Sequence, residues 1–391
     1  MDILKIINRK RGIFDEDIHL KEEELKKVIN KSSFLVIGAA GSIGMSVTKE
    51  IFSRDPKLLH AIDISENNLV ELVRELRSSK GYISGEFSTF CIDICSDIFE
   101  NFLKNNSYDF ILNLSALKHV RSERDIFTLL RMIDVNVIST AKIISLLEKK
   151  NSKYFSVSTD KATNPVNLMG ASKLIMENIL LKSDNFIFSS ARFANVAFSD
   201  GSLLSGFINR INKRQPISAP CDISRYFITA KEAGQLCLLS AIFGEKGEVF
   251  FPNNDAEIKL TSFSEIAMNY LHEIGKVPYE CKSEDEARSF LKTDNSDKQW
   301  PCYFFESDTT GEKEFEEFYS ENENTDFNKY KNVGVIKLDD KKEFELENFL
   351  EAINLIRVDK SAETNDLIKL FRNFLPEFNH KDLGKSLDSK M

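Results

Sequence analysis

The sequence predicts an α/β fold, a doubly wound parallel sheet with a smaller lobe on its C-terminal side, and three features predict it. Short apolar runs recur at 34–37, 58–62, 88–92, 109–114, 154–158 and 186–191. Between them lie segments with apolar residues at helical spacing, such as Leu69, Leu72 and Leu76. Short apolar strands alternating with helices are buried on both faces, as in a parallel sheet covered on each side. The alternation then stops near residue 195, and 245–391 is acidic and loop-rich with a Phe/Tyr-dense stretch at 300–319. That change fits a second lobe closing over the carboxyl ends of the strands, where such sheets bind ligands.

Taken in order, residues 1–31 form an N-terminal helical extension. Leu25, Val28 and Ile29 behind Glu22, Glu23 and Glu24 make an amphipathic turn or two, ended by Asn30 to Ser33. The core spans 32–195. Phe34–Ile37 is its first strand and runs directly into Gly38-Ala-Ala-Gly41-Ser-Ile-Gly44 and a helix carrying Val47 and Ile51. The second strand, Leu58 to Ile62, ends at Asp63. Segments in 225–250 rejoin the core, 196–330 forms the substrate lobe, and 331–391 is an extension packed on that lobe. Residues 320–328 are expected as an exposed loop.

Bulk properties narrow the function classes. The 391 residues are 42% hydrophobic and 29% charged, ordinary for a soluble globular chain. With 52 Lys plus Arg against 61 Asp plus Glu, the net charge of −9 argues against a nucleic-acid partner. No apolar run reaches membrane-spanning length and no signal peptide opens the sequence, so a cytoplasmic protein is expected. Cys91, Cys95, Cys221, Cys237, Cys281 and Cys302 lack zinc-like spacing, and are expected as reduced, mostly buried thiols with no metal.

Gly38, Gly41 and Gly44, with Ala40, Ser42 and Ile43 between them, follow a strand and open a helix. A turn without Cβ atoms lets backbone N–H groups approach a pyrophosphate at the helix N-terminus. Asp63, 19 residues after Gly44, is placed to accept adenosine ribose hydroxyls and to repel a 2′-phosphate. Together these make a Rossmann-type dinucleotide site that prefers NAD to NADP. Asp93, followed by Ile94, either meets the adenine amino group or is simply a polar strand terminus. Ser115 and Ala116 are small enough to let a cofactor contact the backbone after the fourth strand. Lys118, a candidate cofactor and substrate contact, and His119, a candidate substrate contact, could equally be plain surface charges. Asn136, in Asp-Val-Asn-Val, is a helix residue able to order a proton-relay water.

Residues 158–173 read Ser-Thr-Asp-Lys-Ala-Thr-Asn-Pro-Val-Asn-Leu-Met-Gly-Ala-Ser-Lys. Met169 and Lys173 are four apart and share a helix face. This is where a short-chain dehydrogenase carries Tyr-x-x-x-Lys, the lysine holding the nicotinamide ribose and lowering the tyrosine pKa. A thioether does neither acid nor base work. Either catalysis is lost, or proton transfer has moved to Thr159, Asp160 and Lys161.

The glycine loop, Leu117–Val120, Val135–Val137, Ser158–Lys161, Asn164-Pro165, Met169–Lys173 and Arg192–Val196 together resemble the nucleotide-sugar 4,6-dehydratases of the extended short-chain dehydrogenase superfamily, in the polysaccharide-biosynthesis branch acting on UDP-N-acetylglucosamine. The resemblance extends beyond residue 320 and includes Ser307–Lys313. It implies NAD as cofactor and a nucleotide-activated N-acetylhexosamine as substrate, in a pathway to a surface glycan. It makes Asp160 the acid at the C6 oxygen and Lys161 the C5 base, a role that needs a depressed lysine pKa. Thr159 then orients the sugar and Lys173 clamps the ribose. No tyrosine fills the C4 base position, for which Asp160 acting through a water is the first choice. The methionine form implies retention at C5 and the tyrosine form inversion. Arg192, Asn195 and Arg225 are implied diphosphate or nucleotide contacts, with Ser202 a further substrate contact, since arginine suits a diphosphate. Ala194 stands where a glycine is common. Trp300, Tyr303 and Phe304 read as aromatic core rather than a stacking platform. A homo-oligomer is the implied assembly. Two other readings stay open: an epimerase on the same scaffold, which needs no acid at C6, and a catalytically silent NAD-binding regulator, which the missing tyrosine would suit.

Overall fold

The computed structural model describes residues 1–119, 123, 125–147, 151–183, 186–253, 258–292, 298–307, 316–338 and 345–380. The six apolar runs form β1 (Ser33–Ile37), β2 (Leu58–Asp63), β3 (Glu86–Cys91), β4 (Phe110–Asn113), β5 (Lys153–Val157) and β6 (Phe188–Ala191). They pair in parallel in the order β3-β2-β1-β4-β5-β6. The strand order reverses beside β1, so a crevice opens there at the carboxyl ends of β1 and β4, where such sheets bind ligands. The crossover helices start on side-chain caps: Ser65 accepts from the Asn68 N–H, Ser96 from Phe99 and Asn167 from Gly170.

Past β6 the chain leaves for the lobe. Strands β7 (Asn195–Val196), β8 (Ile217–Pro220) and β9 (Ser224–Ile228) begin two small sheets. The helix Ala230–Phe243 returns to pack on helix Ser42–Phe52, and β10 (Glu248–Pro252) pairs in parallel with β6. Strands β11 (Leu260–Ser262), β12 (Val277–Cys281) and β13 (Gln299–Phe305) complete the lobe sheets, β11-β9-β7 and β12-β13-β8. Strands β14 (Asn324–Asp326) and β15 (Val333–Lys337) then extend the main sheet, β15 antiparallel to β10.

Several expectations need correction. The N-terminal extension holds a full helix, Asp15–Ile29, rather than a turn or two. Its first turn is acidic, its last turn basic, and Ile18, Leu25 and Ile29 give it a buried stripe, each of which favours a complete helix. The described part of the C-terminal extension packs on the core, where packing on the lobe was expected. Helices Leu346–Val358 and Thr364–Phe374 put Phe349, Ile353, Leu367 and Phe371 into one apolar cluster with helix Leu168–Leu181. That core helix is buried on nearly every side, so its outer face needs a cover, and the two amphipathic helices supply it. Residues 320–328 are more than an exposed loop, because β14 lies within them and Glu323 reaches inward. Cys237, Cys281 and Cys302 are buried but Cys91 and Cys221 are exposed, and all six are free. Among the described residues no helix is long and apolar enough to cross a membrane.

Candidate active site

The glycine loop separates what the fold needs from what a ligand needs. Gly38 has φ +73°, the left-handed region, and a Cβ there would lie 2.7 Å from the Ser115 nitrogen. A Cβ on Gly44 would lie 1.9 Å from the Gly38 oxygen. Both glycines are demanded by the fold itself. Gly41 is not: its Cβ would meet only the Gly38 oxygen, at an ordinary 3.6 Å. It caps helix Ser42–Phe52, and the bare backbone there is open to an anion at the helix N-terminus. The Asp63 carboxylate accepts from the Ala40 N–H at 3.0 Å and the Ser65 N–H at 2.9 Å, fixing the loop against the end of β2. These residues fit a dinucleotide.

Around this cradle, Asp93 accepts from Arg131 at 2.9 Å and from its own Cys95 N–H at 2.9 Å, a paired strand terminus beside buried Ile94. Ser115 and Ala116 are half-buried after β4. Asn136 does not keep its donors for a water. It sits buried in a π-helical turn, Asp134–Ile138, and its Nδ2 donates to the Leu117 oxygen and to Ser172 Oγ, both at 3.0 Å. Its Oδ1 accepts from the Leu117 N–H at 3.0 Å. The π turn aims the amide inward, where it ties the segment after β4 to helix Leu168–Leu181.

On the substrate side, Thr159 opens a 3₁₀ turn, Asp160–Ala162, at the carboxyl end of β5. Thr159 Oγ1 donates to Asp160 Oδ1 at 2.7 Å, and Lys161 Nζ reaches the two Asp160 oxygens at 3.2 and 3.3 Å. The Asp160 side chain is 4% exposed and that of Lys161 32%. Burial pushes the Lys161 pKa down, but the charges of Asp160 and Glu316 and the Asp160 hydrogen bond outweigh it, so the net direction is up. The depressed lysine pKa that the sequence led us to expect at 161 is therefore absent. It occurs at Lys173 instead, where burial lowers the pKa to about 8 against the opposing charge of Glu177. Lys173 Nζ donates to the Val157 oxygen at 3.0 Å. Met169, on the same helix face, is buried in the apolar cluster of the core, and its N–H donates to Glu123 at 3.1 Å.

Arg192 is the clearest reassignment. Its side chain is 1% exposed, donating to Glu177 at 2.9 and 2.6 Å and to Thr163, the Phe318 oxygen and Glu323 at 3.0–3.1 Å. A guanidinium so enclosed and so fully engaged makes no diphosphate contact. It fastens the segment 316–323 to the core instead. That segment brings in Glu316, which the sequence did not single out. Glu316 accepts from Asn195 Nδ2 and from the Tyr226 N–H at 2.8 Å, with Arg225 Nε 3.8 Å away. Burial, then the like charge of Asp160, raise its pKa to about 7. The one available signal was position, three residues beyond the Ser307–Lys313 motif, whose residues 308–313 lie outside the described residues, as does Val120.

From the lobe, a turn at 198–202 reaches back to the cradle. Asp200 accepts from Ser42 Oγ at 2.9 Å, and Lys118 Nζ donates to Ser199 at 3.2 Å. His119 lies against Gly201, where a Cβ would come within 2.8 Å of its Nε2. Ser202 caps helix Leu203–Asn212. Trp300 is buried and donates to the Gln215 oxygen, a core residue as expected.

A parallel sheet with a glycine turn at its switch point, and Asp160 paired with Lys161 beyond β5, makes this a Rossmann-type α/β protein. The chain belongs to the polysaccharide biosynthesis protein family, whose signature matches residues 34–338. It is 31% identical over 239 residues to an uncharacterized membrane protein of Methanocaldococcus jannaschii, covering 58% of this chain and 68% of that one. It is 29% identical over 269 residues to the capsular polysaccharide biosynthesis protein CapD of Staphylococcus aureus, covering 67% of this chain but 44% of CapD. The chain thus spans under half the length of CapD. At 27% identity it resembles a UDP-glucose 4-epimerase of Rickettsia bellii, over 57% of this chain and 67% of the relative. It is equally similar to a UDP-N-acetylglucosamine 4,6-dehydratase (inverting) of Campylobacter jejuni, over 63% and 74%. In fold it matches Pen from Bacillus thuringiensis with a TM-score of 0.63 at 20% identity, over 84% of this chain and 98% of that one. WbmF of Bordetella bronchiseptica, solved with NAD+ and UDP, matches with 0.51 at 18% identity, over 63% and 79%.

Proposed function

We propose that this protein is an NAD-dependent nucleotide-sugar 4,6-dehydratase, converting UDP-N-acetylglucosamine to a UDP-4-keto-6-deoxy-N-acetylhexosamine for polysaccharide synthesis. The observation that carries the reading is the Asp160–Lys161 pair, an acid and a base side by side at the end of β5. Gly38 to Gly44 hold the pyrophosphate, Asp63 the adenosine ribose and Lys173 the nicotinamide ribose. Bound NAD supplies hydride acceptance from C4 and its return to C6.

The chain's own residues manage the protons. Asp160 takes the C4 hydroxyl proton through a water, and the ketone so formed acidifies C5. Lys161 removes the C5 proton while Asp160 protonates the C6 hydroxyl, which leaves as water. Lys161 then returns its proton to the same face of C5, giving retention. Met169 contributes bulk and no proton. Lys118 and His119, after β4, contact the nucleotide sugar, and Asn195 and Arg225 contact its diphosphate or nucleotide. A similar relative named as an epimerase keeps the alternative reaction in view, but an epimerase has no use for an acid at C6. Incubation with a panel of nucleotide-activated sugars, read by mass, tests the proposal. Loss of water from UDP-N-acetylglucosamine supports it, and a change of configuration without loss of mass contradicts it.

A further inference from the structure

We propose that Glu316 is a positioning residue of this site, setting the proton content of the Asp160–Lys161 pair. The inference rests on those two residues being the reacting pair.

Elimination needs an uncharged Lys161 and a protonated Asp160, yet the resting geometry shows them as a close ion pair. Something nearby has to alter that balance, and Glu316 is placed to do so. Its side chain is 4% exposed, and each oxygen accepts one hydrogen bond, from Asn195 on β7 and from the Tyr226 N–H on β9. Among the described residues, the charges that act on it are those of Asp160 and Lys161 from the turn after β5, and of Arg225 from β9, whose Nε lies 3.8 Å away. The segment that carries it is pinned at several points. Arg192 and Thr163 Oγ1 both donate to the Phe318 oxygen, and Asn164 reaches Glu317 at 3.3 Å. Phe318 stacks on Phe251 at 6.3 Å between ring centroids. A carboxylate held this firmly in a buried place, and raised to about 7, changes charge near neutrality. As an anion it helps to hold the Lys161 proton. Once neutral, it leaves Lys161, among the described residues, with the charge of Asp160 alone to hold its proton, and the ammonium releases that proton more readily.

The test reads Lys161 directly, without substrate or cofactor. An amine-acylating reagent is applied across a pH series and the labelled Lys161 peptide is quantified by mass. Glu316→Gln should lower the pH at which Lys161 becomes reactive by about one unit, while Glu316→Asp, which keeps the charge, stays near the unmodified chain. An unchanged Lys161 titration in Glu316→Gln overturns the inference. A second measurement avoids any change at 316. In chain carrying ¹³C-labelled glutamate carboxyls, one resonance should titrate near pH 7 and move upward in Lys161→Met. Absence of a glutamate titrating in the neutral range is equally contrary. Because neither readout requires turnover, failure of the dehydratase reading remains distinguishable from failure of this one. With turnover in hand, the acid limb of the pH profile should move down in Glu316→Gln with KM little changed.

Discussion

The proposed cofactor cradle is one strand–turn–helix–strand unit from Ser33 to Asp63, whereas the proposed reacting pair and the groups around it draw Asp160, Asn195, Arg225 and Glu316 from four separate segments. The cradle works through atoms it lacks, with bare backbone at Gly41 open to an anion. The proposed cluster works through charges held close together, with Asp160, Arg225 and Glu316 buried and Lys161 partly open to water. Changes at the cradle should therefore act through fit, and changes at the cluster through proton balance and burial. The two lysines show the contrast. Lys161, among carboxylates, is held protonated, and Lys173, in an apolar setting beside Met169, is pushed toward neutrality.

The largest expected effect is at the cluster. Asp160→Asn removes both the proton acceptor for C4 and the donor for C6, and turnover should fall by ~10²–10⁴-fold with nucleotide-sugar affinity little altered. Steady-state kinetics and calorimetric binding check this together. Near-normal turnover would place the chemistry elsewhere.

Arg192→Met comes next and should act on stability. It leaves Glu177 and Glu323 without their shared cation, and losing one partner of a buried pair commonly costs about 3–5 kcal/mol. The urea midpoint should drop accordingly. A diphosphate contact would instead weaken substrate binding and leave the midpoint alone.

Lys173→Met gives a smaller effect with a definite pH signature. The folded pKa of about 8 lies below the ordinary 10.5, so between those values the unfolded chain keeps a proton that the folded chain has shed. Lys173 therefore weakens the fold below about pH 8, and this is relieved as pH rises toward 10.5. At about 1.4 kcal/mol per pKa unit, the variant should be a few kcal/mol more stable than the unmodified chain at neutral pH. That advantage should fade toward pH 10.5 while dinucleotide affinity is reduced throughout. Equal stability across the range would contradict a burial cost on this cation.

Gly41→Ala is the mildest. Its Cβ has room in the protein, so stability should change by less than about 1 kcal/mol. Isothermal titration with NAD should nonetheless show weaker binding, because the methyl group stands where the backbone approaches the pyrophosphate. Unchanged affinity would move the cofactor away from this loop.

How much was legible from the residues follows the same division. Strands β1 to β6 lie within two residues of the apolar runs, since buried parallel strands have little choice but to be apolar, and even the half-exposed edge strand β3 keeps Phe87 and Phe90. The glycine turn and Asp63 were legible because their contacts are local. Arg192 was misread, and the ties of Asn136 to Leu117 and Ser172 went unseen, because a polar side chain's role depends on partners that sequence spacing does not reveal. Glu316 was one acid among many in an acidic stretch until folding buried it beside Asp160. The direction of the Lys161 shift could not be read for the same reason, as it depends partly on that distant carboxylate. The C-terminal helices were not read from the sequence, and the face they cover depends on how helix Leu168–Leu181 is buried.

The most direct test of the claim that proton chemistry sits at Asp160 and Lys161 is the fate of the sugar in Lys161→Met. With Asp160 intact and the C5 base gone, oxidation at C4 should proceed and stop. A single turnover analysed by mass should then give a nucleotide sugar that has lost two hydrogens and kept its C6 oxygen. Loss of water at the rate of the unmodified protein would contradict the account.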